Sequence, residues 1–132
     1  MIVMEYNVRT GMTNEIEYLV TKDATTAHFS ADCPVFATPV MINWIEQTAL
    51  KLCKQVLPEG YDTVGTFVNV KHLAPTPMGM KVRVCVEVGE VNGKLLTFNV
   101  KVYDEKTKVG EGTHGRAIVN VEKFVENLRK NK

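Results

Sequence analysis

This sequence predicts an α+β domain, one antiparallel sheet packed on a single long helix. Two observations carry the prediction. Apolar residues recur at helical spacing from Thr38 to about Leu57. Four segments then follow in close succession, each alternating apolar and polar residues and bounded by turn signals. Hairpin-linked strands make one sheet with an apolar face, and the long helix is the partner for that face.

The first strand spans Thr13 to Lys22, where Ile16, Tyr18 and Val20 alternate with Glu15, Glu17 and Leu19. Asp23 to Thr38 has no clear period and contains Pro34, so it reads as a loop; irregular stretches of that length often serve as lids or binding segments. Thr38-Pro39 opens the helix, with Thr as N-cap and Pro at the first helical position. Pro58-Glu59-Gly60 ends it. At about 1.5 Å per residue the helix is roughly 30 Å long, enough to cross a small domain. Met41, Ile42, Ile45, Ala49, Leu50, Leu52, Cys53 and Val56 form one broad apolar arc, opposite Asn43, Gln47, Lys51, Lys54 and Gln55. Trp44 falls on the polar side, as an association contact would.

The next strand, Thr63 to His72, runs into the turn cluster Pro75-Thr76-Pro77-Met78-Gly79. Met80, Val82, Val84, Val86 and Val88 alternate with Lys81, Arg83, Cys85 and Glu87. Asn92-Gly93 marks a tight hairpin, after which Leu96, Phe98, Val100 and Val102 form another inner row. Asp104 to Lys108 turns the chain into a last strand, Val109 to Val121, with Ala117, Val119 and Val121 on one face. Val121, Phe124, Val125 and Leu128 at helical spacing predict a short amphipathic C-terminal helix.

With 132 residues the chain is expected to form one domain over 1–132. A net charge of +1 gives no reason to expect nucleic acid or an acidic membrane as partner, and no apolar run reaches a membrane span. Met1-Ile2-Val3-Met4-Glu5 does not read as a signal peptide. Cys33, Cys53 and Cys85 are odd in number and show no CxxC spacing. That argues against a disulfide framework or a zinc site and suits a reducing cytoplasm, with all three as buried small hydrophobes.

Two titratable residues break the apolar pattern. Alternation puts Val64, Thr66, Val68, Val70 and His72 on one face of their strand, so an imidazole ends a row of valines. Glu46 projects inside the helix arc, between Cys53 and Leu50. A buried carboxylate needs a partner or a raised pKa, and perturbed carboxylates gather at functional sites. Each residue also has an ordinary reading: a core histidine held by a carbonyl, a structural buried pair, and for Thr38 a plain helix cap. The same cap position suits acyl transfer, because the first N–H groups of a helix are unpaired and partly positive. His114 shares a face with Arg116 and Ile118 and reads as structural.

Three blocks resemble the hotdog thioesterases of the fluoroacetyl-CoA thioesterase-like family. They are Val35-Phe36-Ala37-Thr38-Pro39 followed by Glu46, Thr63-Val64-Gly65-Thr66-Phe67-Val68-Asn69-Val70-Lys71-His72-Leu73-Ala74-Pro75-Thr76-Pro77, and Gly110-Glu111-Gly112-Thr113-His114-Gly115-Arg116. The blocks stand in the family's order, and the resemblance covers nearly the whole chain. It implies a hotdog fold, a sheet wrapped around the central helix. It also implies hydrolysis of a short-chain acyl-CoA, plain or substituted, by a homodimer with two sites at its interface, or a dimer of dimers. Thr38, Glu46 and His72 would carry the chemistry, Gly65 would bind substrate, and Arg116 would contact coenzyme A. Phe29 and Phe36 could serve as lid aromatics that bind substrate, with core packing as their ordinary reading. No metal and no cofactor beyond the coenzyme A of the substrate is implied. The Asp23 to Cys33 loop departs from the family pattern, which leaves the acyl group open. A non-catalytic acyl-CoA or small-molecule binder on the same scaffold is the alternative, with the three polar residues as pocket lining.

Overall fold

The computed structural model describes residues 6–132; Met1 to Glu5, read above against a targeting signal, lie outside them. Strand β1 (Thr13–Leu19) leads through one 3-10 turn (Lys22–Ala24) to two short strands, β2 (Thr25–Thr26) and β3 (Val35–Phe36). Helix α1 (Thr38–Val56) follows, then β4 (Tyr61–His72), β5 (Lys81–Asn92), β6 (Leu95–Tyr103), β7 (Lys108–Asn120) and helix α2 (Val121–Asn131). The five long strands form one antiparallel sheet in the order β1-β5-β6-β7-β4, which leaves β1 and β4 as edges.

Alternation in β5 and β6 builds the inner face: Val82, Val84, Val86, Val88, Leu96, Phe98, Val100 and Val102 are all buried. α1 lies on that face with Met41, Ile45, Ala49, Leu52 and Cys53 buried, as its apolar arc requires. α2 is capped by Asn120, whose side chain accepts from Lys123 N at 3.2 Å, and it buries none of its residues. Among the described residues no helix is long and apolar enough to cross a membrane.

Local pattern and structure part company at several points. A β-bulge in β4 pairs Gly65 with Arg116 and Phe67 with Gly115, leaving Thr66 as the extra residue. One extra residue reverses the alternation. Thr63 and Gly65 therefore share the inner face with Val68, Val70 and His72, and Val64 does not. The expected loop contains a small sheet, with Thr25 paired to Phe36 and Thr26 to Val35; two-residue strands are too short to show a period. At the β5–β6 hairpin the register pairs Asn92 with Leu95, so Gly93 and Lys94 make the turn, with Gly93 at φ +60°.

On β7 the inward residues are His114, Arg116 and Ile118, not Ala117 and Val119. Trp44 is not a bare surface contact: it stacks on Tyr18 at 4.6 Å and on Phe36 at 5.0 Å, because β1 and β3 wrap that side of α1. Of the cysteines only Cys53 is buried. Cys33 is exposed, and Cys85 is half-buried with Sγ 3.1 Å from Glu15 Oε1. Burial first, and then Glu15, push the Cys85 thiol up to about 11, which leaves it unreactive at neutral pH.

Gly112, at φ +153°, sits where β7 runs tight against the backbone of β4. A Cβ there would stand 2.6 Å from Val70 Cα and closer still to the Asn69 carbonyl oxygen, both backbone atoms that cannot rotate aside. Gly112→Ala is expected to cost about 2–4 kcal/mol, from strain plus overpacking. In a thermal melt that lowers Tm by about 8 °C or more. A melt within about 2 °C of the unsubstituted protein would contradict this close approach.

Candidate active site

The start of α1 differs from its sequence reading in a way that matters for chemistry. Ala37, not Thr38, is the N-cap, with extended φ −84° and ψ 136°, and no side chain caps the helix. Thr38 is the first helical residue and Pro39 follows within the first turn, where a missing N–H breaks no helical bond. The Thr38 hydroxyl is therefore free of capping. It meets His72 instead, with Oγ1 2.7 Å from Nδ1. β4 brings His72 there because its inward face, re-phased by the bulge, ends at that residue opposite Gly110.

His72 is half-buried and packs edge-on against Phe36 at 5.7 Å between ring centroids. Burial lowers its pKa below the ordinary 6.5, so the ring is a neutral base at physiological pH. Its second nitrogen, Nε2, is buried and has no hydrogen-bond partner among the described residues. Thr38, His72, Phe36, Phe29 and His28 line an opening of about 340 Å³ that is also walled by Val35, Leu73 and Ala74. Phe36 is buried within it and Phe29 is exposed at its rim.

Glu46 is placed elsewhere. Eight residues of helix at about 1.5 Å each carry it roughly 12 Å from Thr38. It lines a separate opening of about 290 Å³ with Gly65, Thr66, Phe67, Val68 and His114. Gly65 is the meeting point of three side chains. A Cβ built on it would lie 3.5 Å from both Glu46 Oε2 and Arg116 Nη1, and 3.7 Å from His114 Cε1. Arg116, which the resemblance casts as a coenzyme A contact, is 5% exposed. Its Nε donates to Thr63 Oγ1 at 2.7 Å, and Nη2 donates to the Thr63 carbonyl at 3.1 Å.

The structure thus groups Thr38 with His72 and Phe36, and Glu46 with Gly65 and Arg116, around two separate openings. Sequence reading missed the Thr63–Arg116 bond, since the bulge that turns Thr63 inward leaves no mark on the β4 pattern. It also gave no sign that Leu73 and Ala74, just past the strand end, would wall the first opening.

Known proteins resemble this chain over most of its length. The family model for fluoroacetyl-CoA-specific thioesterase matches residues 20–122. A fluoroacetyl-CoA thioesterase of Streptantibioticus cattleyicolor is 31% identical over 133 residues, covering 96% of each chain. The solved structure of the fluoroacetyl-CoA thioesterase FlK superposes with a TM-score of 0.83 at 30% identity, over 95% of this chain and 98% of that one. A hot-dog-like protein from Thermanaerovibrio acidaminovorans shares the fold, with a TM-score of 0.83 at 24% identity over 92% and 90% of the two chains. Sheet order, central helix and family match together show that this chain is a hotdog protein belonging to the fluoroacetyl-CoA-specific thioesterase family, and with it to the thioester hydrolases.

Proposed function

We propose that the protein hydrolyses a short-chain acyl-CoA to the free acid and coenzyme A, using Thr38, His72 and Glu46. The observation that carries this reading is the 2.7 Å contact between Thr38 Oγ1 and His72 Nδ1 at the first turn of α1. A thioester carbonyl set against that turn meets the Thr38 N–H, the one donor left there, since Pro39 has none and Val40 N already donates to the Ala37 carbonyl at 3.1 Å. One such donor is typically worth about 2.7–4 kcal/mol of barrier. Neutral His72 takes a proton from the attacking oxygen, either the Thr38 hydroxyl or a water that Thr38 orients. The carbonyl collapses with loss of the thiolate, which takes the proton back from His72 as coenzyme A leaves. If Thr38 attacks, water then hydrolyses its ester by the same proton path. Both proton steps rest on His72, so the reaction asks for no cofactor beyond the coenzyme A of the substrate.

Glu46 enters from a second copy in this reading. When Nδ1 accepts from Thr38, Nε2 carries a proton, and a buried donor without an acceptor costs about 1–3 kcal/mol. The partner's Glu46 is the carboxylate proposed to accept it, across a homodimer interface built on the long, unpaired edge of β4. Gly65 and the buried Arg116 then stand beside the carboxylate at each site, with Phe36 behind the imidazole. One domain, three unpaired cysteines and a coenzyme A substrate suit a cytoplasmic enzyme.

The opening beside His72 is walled by Phe29, Phe36, Val35, Leu73 and Ala74, which favours a short acyl group. Thiol release is the direct test, across short, branched, aromatic and halogenated acyl-CoAs. Turnover is expected for short acyl groups and falls as the chain outgrows the opening. Tight binding with no thiol released from any of them would instead make the protein a binder.

A further inference from the structure

His114 is wholly buried, and the reaction as written leaves it unused. Both its ring nitrogens are engaged. Nδ1 is 2.8 Å from the Phe67 carbonyl, and Nε2 is 3.2 Å from Arg116 Nη1. A carbonyl only accepts and a guanidinium only donates, so Nδ1 carries the proton and Nε2 offers its lone pair. The ring is therefore neutral and held in one tautomer. Burial first, and the Arg116 charge after it, keep its pKa below the ordinary value, against the Phe67 bond and Glu46, which pull upward.

The ends of this chain of bonds are functional in position. Phe67 closes the β4 bulge that re-phases the strand carrying Gly65 and His72. Arg116 has Nε and Nη2 tied to Thr63, which leaves Nη1 as the arm nearest the Glu46 opening. His114 Nε2 accepts from that arm.

We infer that His114 is a positioning residue, a neutral strut that holds Arg116 Nη1 beside Glu46 through the acceptor at Nε2, with the Phe67 carbonyl fixing the ring's tautomer. The inference rests on the reading of Glu46 as a catalytic group. An ordinary core histidine would fill the same volume without aiming anything. The two roles separate through half-isosteres. In His114→Gln the amide oxygen reaches the Nε2 position and still accepts from Arg116, while the Phe67 bond is lost. In His114→Asn the amide nitrogen stands near Nδ1 and still donates to Phe67, but nothing reaches Arg116.

Thioester turnover is measured for both variants, alongside the ¹⁵N side-chain signals of Arg116 and His114. His114→Asn is expected to lower kcat roughly tenfold or more with KM little changed, because a misplaced group costs rate rather than binding. His114→Gln should stay within about threefold of the unsubstituted enzyme. The Arg116 Nη signals should be separately resolved in the unsubstituted protein and in His114→Gln, and averaged by rotation in His114→Asn. Equal losses of kcat in the two variants would overturn the inference. So would a His114 ring found protonated at Nε2 in the unsubstituted protein, a measurement that needs no variant to fold. Glu46→Gln at full turnover would overturn the catalytic reading of Glu46 alone, and the Arg116 signals would still report on the strut.

Discussion

His72→Ala lowers kcat for a short acyl-CoA by at least about 100-fold, the lower end of what a positioned general base contributes. The loss falls on kcat because the imidazole acts on the attacking oxygen, whereas the walls of the opening that hold the acyl group stay in place. Among the described residues only one side of the ring is engaged, by Thr38 and Phe36, so the variant should keep a cooperative melt. Thr38→Val separates the hydroxyl from the base: a large loss there places the threonine oxygen on the reaction path. The pH profile gives an independent signature. Burial in its own chain disfavours the imidazolium and pulls the midpoint of the acid limb of kcat/KM below pH 6.5, whereas a partner carboxylate on Nε2 pulls it back up. Glu46→Gln removes that upward pull, so whatever turnover remains should show an acid limb shifted to lower pH. Near-normal turnover by a folded His72→Ala protein would end the proposal.

Much of this was legible because the strongest signals in the chain are periodic. Val82 to Val88 and Leu96 to Val102 alternate without interruption, and the helix arc from Met41 to Cys53 is broad enough to declare its buried face. Local departures from period were not legible, and they decide the site. The extra residue at Thr66 turns Thr63 inward and Val64 out, and only the pairing with β7 reveals it. Thr38 fits the N-cap profile by residue type. The chain enters the helix one residue earlier, at Ala37, because its N–H is already committed to the Ala24 carbonyl at 2.9 Å.

Trp44 followed the same logic. A helical wheel assumes one buried face, but a helix wrapped by β1 and β3 has more than one. Chemistry-bearing types stood out for a different reason. Glu46, His72 and His114 are ionisable residues in apolar rows, where a charge without a partner is costly. How they group is not legible in the pattern, because periodicity gives a face and names no partner. Helical rise already separates Thr38 from Glu46 by roughly 12 Å, and a contact of 2.7 Å binds His72 to the first of them.

That separation makes mixed dimers the sharpest expected result after His72→Ala. If each site takes Thr38 and His72 from one copy and Glu46 from the other, both sites of either single-variant dimer carry one lesion. Glu46→Gln and His72→Ala homodimers should each be close to inactive. Refolded together, they form heterodimers in which one site receives both lesions and the other receives none. Random pairing makes half the dimers mixed and repairs half the sites in each, so activity should recover to about one quarter of the unsubstituted level. Were all three groups supplied by one chain, every site in every pairing would carry one lesion, and mixing would restore nothing. Light scattering of the same samples fixes the reference, since recovery requires a dimer. A mixture that stays at the parents' level while remaining dimeric would place Glu46 outside the neighbouring copy's site and leave His72 Nε2 to be satisfied by substrate or solvent.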